Sequence, residues 1–448
     1  MKIKITTGVL SLLLGLGITA RAEEGRIYIL SDGIYYGGYM PECISANGKY
    51  VCGSTFAWAG FISDWESDKT KVYLEEDGSS FADYGCDLPF ITSEGVALGF
   101  DDKGALKIDV NSGELERLRL AGLPDAMTQD GNIIVGMAYN QQLSSYQTEH
   151  YIDYQACYWE NGKLNYLPVP TEEELGYYIL GSRARCVSAD GSVIMGNLTD
   201  RLYTNPMVLW FRQPDGSYKL DPVCMQYFSD IKYNDGSYKE YVQFRGDAMN
   251  QAGTKVAMTV RLSPEYNKPV KDPQTLAIYD IATGSIDRIV IDGQGDIAPE
   301  TVLNVYYNGI ADDGTVVGYY ESSWGGVVAF ILRGGKGQPR NLASVYGNIG
   351  ELADFDDIGT NMISSISADG RYLAGMGWTI DNRYDMGYYV GYVLDTYPDG
   401  VPDTGVDEIL TADDSEAVYF NLQGQKVNHP ERGIFVKVVD GKAVKVVR

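Results

Sequence analysis

The chain has 448 residues, of which 44% are hydrophobic, and it carries a formal net charge of −25. A chain of this length can form two or three average domains, or one large repeat domain with an appendage. A negative field of this size repels phosphate groups. We therefore expect no nucleic-acid partner and no anionic membrane partner.

Residues 1–22 have the pattern of a secretory signal peptide. Lys2 and Lys4 form a basic start, residues 9–18 are a short apolar run, and residues 20–22 (Ala-Arg-Ala) form a small-residue cleavage site. The apolar run is too short to span a bilayer, and no later stretch is long enough. We expect a mature chain without a transmembrane segment, exported to the cell surface or the extracellular space, with the periplasm as an alternative.

One short sequence motif occurs seven times. It consists of a large apolar residue, two further residues, a residue that is usually acidic or an amide, a glycine, and then an apolar run. The seven glycines are Gly48, Gly95, Gly131, Gly191, Gly253, Gly314 and Gly370. Asn-Gly and Asp-Gly between apolar runs are a strong hairpin signal, because a type I′ turn needs positive φ at both central residues. We predict a tight hairpin at each copy.

A second pair of strands follows most copies. In the fourth copy, residues 207–210 (Met-Val-Leu-Trp) are an apolar strand, and residues 215–216 (Asp-Gly) are a turn that leads to a final strand. Each unit is thus predicted to have four antiparallel strands, which need neighbours around an axis to cover both faces. The predicted fold is all-β: a β-propeller of about seven four-stranded blades over residues 23–395, with six or eight blades as alternatives.

Two details of the propeller follow from the spacing of the copies. The short interval after Gly95 indicates a reduced blade. The last unit lacks a fourth strand, and residues 26–30 (Arg-Ile-Tyr-Ile-Leu) are predicted to supply it. A strand from the opposite end of the chain would close the ring and remove its open edges.

The composition changes after the propeller. Residues 396–417 form a polar, turn-rich linker, and residues 418–448 contain three short stretches typical of strands, which predict a small C-terminal β-domain.

Both parts resemble known proteins of the Bacteroidetes. The Ser-x-Asp-Gly repeats with a downstream aromatic strand resemble those of secreted propeller-like proteins. The tail resembles a C-terminal sorting-type domain, of the kind used in type IX secretion. Its matching residues are Tyr419, Leu422, Gly424, Val427, Gly433, Ile434, Phe435, Lys442 and Lys445. The resemblance implies that a dedicated secretion machinery is a partner; the alternative is an accessory domain without a sorting role.

Complete catalytic motifs are missing from the sequence. The two histidines, His150 and His429, lie far apart, and no nucleophile-elbow, zinc-protease or phosphate-loop pattern occurs. The acidic run at residues 354–357 is interpreted as a solvated loop, with Ca²⁺ binding as the alternative. We predict no cofactor and no metal site, and we leave open whether the chain is an enzyme, with a non-catalytic role favoured.

Topology points to a ligand-binding surface. Tight turns at one end of the blades place the long connections at the other end, the loop-rich face, where ligand contacts are common. The predicted ligand-binding residues are Tyr139, Tyr146, Tyr151, Trp324, Trp378 and Tyr384. Aromatic faces beside carboxylates and amides suit sugars, so we expect a glycan or a surface protein as ligand, unless these aromatics only pack the loops.

Two further functions stay open: a glycan-cleaving enzyme that uses two of the 61 carboxylates, and a structural surface protein without a small ligand.

Six cysteines occur without a C-x-x-C pair, so a zinc site is not indicated. If Asn47-Gly48 is a two-residue hairpin turn, Cys43 faces Cys52 at a separation that suits a disulfide. We predict this bridge, with two small buried thiols as the alternative.

Overall fold

The computed structural model describes most of the chain, in nineteen segments. They are residues 26–30, 38–55, 59–67, 69–73, 86–101, 103–140, 154–171, 179–200, 206–221, 241–263, 275–291, 297–323, 326–346, 362–381, 386–397, 418–420, 426–427, 434–439 and 442–447. The chain divides into two compact units, residues 1–396 and residues 397–448.

Within the described residues, the first unit contains seven four-stranded antiparallel sheets, each of which is one blade. Blade one consists of β2 (Tyr39–Ile44), β3 (Tyr50–Thr55), β4 (Gly60–Asp64) and β5 (Lys69–Tyr73); blade two of β6 (Asp87–Ile91), β7 (Val96–Asp101), β8 (Gly104–Asp109) and β9 (Leu115–Arg117); blade three of β10 (Leu123–Met127), β11 (Ile133–Tyr139), β12 (Tyr154–Glu160) and β13 (Lys163–Tyr166). The predicted seven-bladed propeller is confirmed.

The remaining blades follow the same order. Blade four consists of β14 (Ile179–Val187), β15 (Val193–Asp200), β16 (Met207–Arg212) and β17 (Tyr218–Leu220); blade five of β18 (Tyr241–Met249), β19 (Lys255–Ser263), β20 (Thr275–Asp280) and β21 (Ser285–Val290); blade six of β22 (Val302–Ile310), β23 (Val316–Ser322), β24 (Val327–Leu332) and β25 (Arg340–Asn341); blade seven of β26 (Met362–Ile366), β27 (Tyr372–Asp381), β28 (Met386–Asp395) and β1 (Arg26–Ile29). A short helix, α1 (Leu342–Tyr346), follows β25, and 3-10 turns lie at Trp65–Ser67, Pro299–Thr301 and Arg333–Gly335.

The propeller is closed by its first strand. β1 pairs antiparallel with β28, from Arg26 opposite Asp395 to Ile29 opposite Tyr392. This confirms the predicted closure. The first strands of the seven blades contact one another in an unbroken ring. They therefore line the central channel, and the last strand of each blade lies outermost.

The core lies between adjacent blades. One cluster combines Tyr50 and Ile62 of blade one with Leu88 and Ile91 of blade two. Because neighbours cover both faces of a blade, residues 207–210 of β16 are all buried instead of alternating with exposed ones. Burying each large side chain of this kind contributes about 1.5–3 kcal/mol.

Blade two is not reduced, contrary to the expectation from the short spacing after Gly95. It keeps four strands. The short interval is accommodated by brief connections and by β9, which has three residues.

The turns at the repeat glycines are not type I′ hairpins, which corrects the prediction. In blade one, Gly48 N donates to Ser45 O (2.8 Å), and Ser45 N donates to Tyr50 O (2.8 Å), so four residues form the loop. Gly48 has φ 76°, whereas Asn47 is not in the left-handed region. The reason is local: Asn47 Oδ1 accepts from Lys49 N (3.1 Å), which is an Asx-type turn, and also from Ser45 Oγ (2.8 Å).

The second unit is a four-stranded antiparallel sheet in its described residues. The strands are β29 (Val418–Phe420), β30 (Lys426–Val427), β31 (Ile434–Val439) and β32 (Lys442–Val447), in the order β30-β29-β31-β32. The three predicted strands are thus four in the described residues, because β29 and β30 are separate strands that pair antiparallel. Across the described part of both units, no helix has the length and apolarity that a membrane span requires.

Candidate functional site in the central channel

Every blade has a β-bulge at the same place on its first strand. In blade one the register against β3 shifts between Pro41 and Cys43, so that Glu42 has no partner. The residues at this place, six positions before each repeat glycine, are Glu42, Pro89, Asp125, Arg185, Asp247, Asn308 and Ser364. We call these seven residues the channel ring. Bulges next to functional sites commonly redirect a side chain.

A pair of carboxyl groups joins blades one and two in this region. Ser54 Oγ donates to Glu42 Oε1 (3.1 Å). Burial, together with a hydrogen bond to Asp87 on β6, raises the pKa of Glu42 from 4.5 to about 9. Glu42 is therefore protonated at neutral pH, and its hydroxyl donates to Asp87.

A charge pair joins blades three and four. Arg183 Nε donates to Asp125 Oδ2 (2.8 Å), and Arg183 Nη2 donates to Asp125 Oδ1 (2.5 Å). Burial raises the pKa of Asp125, and the Arg183 guanidinium partly offsets this effect. The Asp87 carboxylate lies close enough to act on both groups electrostatically. The acid pair and the charge pair thus form one continuous polar arc.

The rest of the channel ring is also polar. Asp247 Oδ2 accepts hydrogen bonds from the Thr259 N–H (2.9 Å) and the Thr259 hydroxyl. Asn308 Nδ2 donates to Ile363 O (2.5 Å) and so links blade six to blade seven. Arg185 is exposed. Apart from Pro89, the channel ring therefore includes both hydrogen-bond donors and acceptors.

Aromatic side chains stand beside carboxylate and amide groups at the loop-rich end of blade six. Tyr306 stacks on Tyr319, with ring centroids 4.8 Å apart and planes 23° apart. Glu321 accepts from Tyr306 Oη (3.0 Å) and from Asn304 Nδ2 (2.6 Å). Asn304 and Tyr306 precede the bulge on β22 and so lie closer to the loop-rich face than the channel ring does.

Of the predicted aromatic ligand residues, Tyr139 is the one whose side chain is described. It ends β11, it is 49% exposed, and it lies opposite Tyr154 across the β11–β12 ladder. Tyr166 Oη donates to Tyr139 O (2.6 Å). These three tyrosines form an exposed aromatic group on blade three, on the loop-rich face and outside the channel ring.

The other predicted residues are less informative. The backbone of Trp378 lies in β27, opposite Tyr389. Tyr146, Tyr151, Trp324 and Tyr384 lie outside the described residues. Sequence reasoning missed the channel ring. A usable signal existed, because the position six before each repeat glycine is polar in six of the seven copies while the strand around it is mostly apolar.

Cys43 and Cys52 lie directly opposite each other across β2 and β3, which confirms the predicted register. The structure holds both as free thiols. Cys43 Sγ donates to Ile44 O (3.4 Å), whereas Cys52 Sγ donates across the blade interface to Leu88 O (3.1 Å). The sulfur atoms thus use separate acceptors, and the disulfide stays a prediction.

Within the described segments, no group of three or more His, Cys, Asp or Glu residues is arranged to hold a metal ion.

No protein-family model matches the sequence, and no curated protein matches it either. Among solved structures, an oligogalacturonate lyase from Vibrio parahaemolyticus is similar, with 13% identity and a TM-score of 0.48, over 84% of this chain and 98% of that one. An oligogalacturonate lyase in complex with manganese has 11% identity and a TM-score of 0.47, over 83% and 98% of the two chains. At these values the likeness carries no argument about activity.

Proposed function

We propose that this chain is an exported propeller that binds a glycan at the loop-rich end of its central channel without cleaving it. The observation that carries the proposal is the channel ring, in which one bulge is repeated in every blade while its side chain varies. The combination of carboxylate, guanidinium and amide groups suits the hydroxyls of a sugar, which both donate and accept hydrogen bonds. Nearby tyrosines add faces on which a sugar ring can pack.

The geometry of the carboxyl groups favours binding over hydrolysis. A glycosidase holds two carboxyl groups about 5–10 Å apart, with the scissile bond between them. Glu42 and Asp87 are instead hydrogen-bonded to each other, and Asp125 is occupied by Arg183. These pairs leave no space for a glycosidic bond between their members.

Cleavage of a glycan is the second candidate, because Glu42 is a protonated carboxyl group at neutral pH. A carboxyl group of this kind can act as a general acid. This candidate needs the ligand to displace Asp87 from Glu42.

Export and a surface or extracellular location belong to the same proposal. They are supported by the signal-type residues 1–22 and the sorting-type pattern of residues 418–448. Mass spectrometry of the secreted chain would test for cleavage after Ala22.

A glycan array with the full mature chain, followed by calorimetry on the hits, tests the proposed function. We expect Arg185→Gln and Tyr139→Ala to weaken binding about tenfold each, a loss of about 1.4 kcal/mol. Both side chains are exposed, so the fold should tolerate these changes. Lys219→Gln, on the outermost strand of blade four, is the matched control and should leave the affinity unchanged.

Two outcomes would overturn the binding proposal. If no glycan binds, or if Arg185→Gln binds as tightly as the wild type, the channel ring is not the site. If the wild type shortens a bound glycan and Glu42→Gln does not, the second candidate replaces the first.

A further inference from the structure

A ring of hydrogen bonds between blades crosses the tight-turn end of the central channel. It is built around the residues two positions before each repeat glycine. Each of them comes two residues after the end of a first strand, and so lies next to the axis. We call these residues the turn ring, and they are Ala46, Ser93, Gln129, Ala189, Gln251, Asp312 and Ala368. Each of the seven interfaces between adjacent blades is bridged at this level.

Four of the seven bridges join one backbone directly to the next. In each of them, the N–H of a turn-ring residue donates to the carbonyl group of the turn-ring residue in the following blade. The donor–acceptor pairs are Gln129–Ala189 (3.3 Å), Ala189–Gln251 (2.8 Å), Asp312–Ala368 (2.9 Å) and Ala368–Ala46 (2.9 Å). Backbones joined in this way lie about 5 Å apart, so seven such steps close a ring about 11 Å across between backbone centres.

Side chains make the other three bridges. Asn47 Nδ2 donates to Ser93 O (3.1 Å), and Ser93 N donates to Gln129 Oε1 (2.8 Å). Between blades five and six, Asp312 Oδ1 accepts from Ala252 N (3.0 Å). The turn ring is therefore unbroken around the axis.

One further bond narrows the opening inside the turn ring. Gln129 Nε2 donates to Gln251 Oε1 (3.1 Å), which joins blade three to blade five. A straight line between these two blades passes on the axis side of Ala189 in blade four, where a methyl group leaves room for it. The two glutamine side chains therefore fill part of the space that the backbones leave.

The channel ring lies well inside the channel. Arg185 and Asp247 each come six residues after the start of their strands, β14 and β18, which places them up to about 20 Å from the loop-rich ends of these strands. They come four residues before the turn ring, and so lie at most about 14 Å from it. A glycan that contacts the channel ring must therefore enter the channel lengthwise.

We propose that the channel is a blind pocket closed by the turn ring, and that its ligand is the free end of a glycan chain. This inference rests on the proposed function, which places a glycan against the channel ring. A chain that enters from the loop-rich face meets the turn ring and cannot pass through it. An internal segment could reach the channel ring only if the chain folded back on itself, and a folded-back chain is wider than a single one.

The test uses the glycan that binds most tightly on the array, released as a linear oligosaccharide. Because the array holds each glycan by its reducing end, the end that enters the channel is the non-reducing one. Calorimetry with the full mature chain compares the unmodified glycan with two capped forms. We expect a trityl group on the non-reducing terminal residue to weaken binding about a hundredfold or more. A fluorescein group on the reducing end, the matched control for bulk, should leave the affinity unchanged.

The outcomes separate this inference from the proposed function. If no array glycan binds, both are wrong. If Arg185→Gln weakens binding but the trityl-capped glycan binds as tightly as the unmodified one, the channel ring is the site and only the blind pocket is overturned. Lys219→Gln, on the outermost strand of blade four, should distinguish the capped forms as the wild type does.

A second measurement tests the turn ring without a ligand. Ala189 and Ala368 lie in turns and are partly exposed, but the amide of each donates to the next blade. These two amides should exchange their hydrogens with solvent as slowly as the amides of the first strands do. Rapid exchange at both positions, while the strands stay protected, would show that this end of the channel opens and would overturn the blind pocket.

Discussion

The repeat turns and the channel ring lie on the same first strands, yet they differ in what they repeat. In blade four, Ser188 Oγ donates to Asp190 Oδ1 (2.7 Å) and accepts from the backbone N–H five residues further on (3.0 Å). In blade seven, Ser367 makes the same two bonds, at 2.5 and 2.9 Å. The hydroxyl bond to the residue before the glycine recurs in blades one, three, four and seven, whereas blade five has Asn250 and blade six has Ala311 at the hydroxyl position. Most turns thus repeat their backbone and much of their side-chain chemistry. The channel ring repeats only its backbone.

This difference separates what the fold requires from what it leaves free. The turn hydrogen bonds fix the loop between the first two strands, so the side chains that make them recur. A bulge requires only an extra residue and places no demand on its side chain. In the channel ring that side chain is Glu, Pro, Asp, Arg, Asp, Asn or Ser. The fold thus leaves the side chains of the ring free to differ, and we propose that they serve ligand binding.

The largest expected contrast is the pH dependence of the two regions. The pKa of Glu42 is about 9 in the folded chain, against 4.5 as its ordinary value. Between these values the folded state holds a proton that the unfolded state lacks. The free energy of unfolding should therefore fall as pH rises from about 5 to 9, by up to about 1.4 kcal/mol per pH unit. Urea unfolding of the wild type and Glu42→Gln across this range measures it, and Glu42→Gln should remove the decline.

Asp190→Asn, in a repeat turn, is the opposite control. Burial acts to raise the pKa of Asp190, but the hydrogen bonds from Ser192 and Ser188 outweigh it and lower the pKa. A carboxylate of this kind stabilises the fold above its ordinary pKa, and the effect is lost as the pH falls. Asp190→Asn should therefore change the free energy of unfolding at acidic pH and leave its decline at alkaline pH unchanged. Parallel profiles for Glu42→Gln and the wild type would contradict the raised pKa of Glu42.

The next largest effect concerns the packing of a repeat turn against the neighbouring blade. Gly48 has φ 76°, and a methyl group there would overlap the ring of Tyr372 in blade seven. We expect Gly48→Ala to cost about 2–5 kcal/mol, from left-handed strain plus overpacking.

Gly162→Ala is the matched control for this packing. Gly162 has φ 73° and no atom within 4 Å of the added methyl group, so only the strain of about 1–2 kcal/mol should remain. Thermal or urea unfolding measures both variants. If Gly48→Ala and Gly162→Ala lower the free energy of unfolding by the same amount, the turn at Gly48 does not pack tightly against the neighbouring blade.

The sequence allowed the scaffold to be predicted better than the site. The recurring glycine gave the blade count, and counting outward from it placed Cys43 opposite Cys52 even though the turn type was wrong. Local side-chain bonds, such as that of Ser45 to Asn47, decide the turn type, and periodicity does not show them. Glu42 was missed because a bulge breaks the two-residue period that identifies a strand face.

The smallest contrast compares serines in the two regions. Ser45, Ser188 and Ser367 are each fully buried in a repeat turn and make equivalent hydrogen bonds. Ser188 and Ser367 donate to a carboxylate, so replacing either by Ala should cost about 1.5–3 kcal/mol, whereas Ser45 donates to the Asn47 amide oxygen and its replacement should cost about 1 kcal/mol. Ser364→Ala, in the channel ring, should change the free energy of unfolding by less than about 0.5 kcal/mol. Urea unfolding measures all four variants. A cost at Ser364 equal to the turn costs would mean that the ring is as much a part of the scaffold as the turns are.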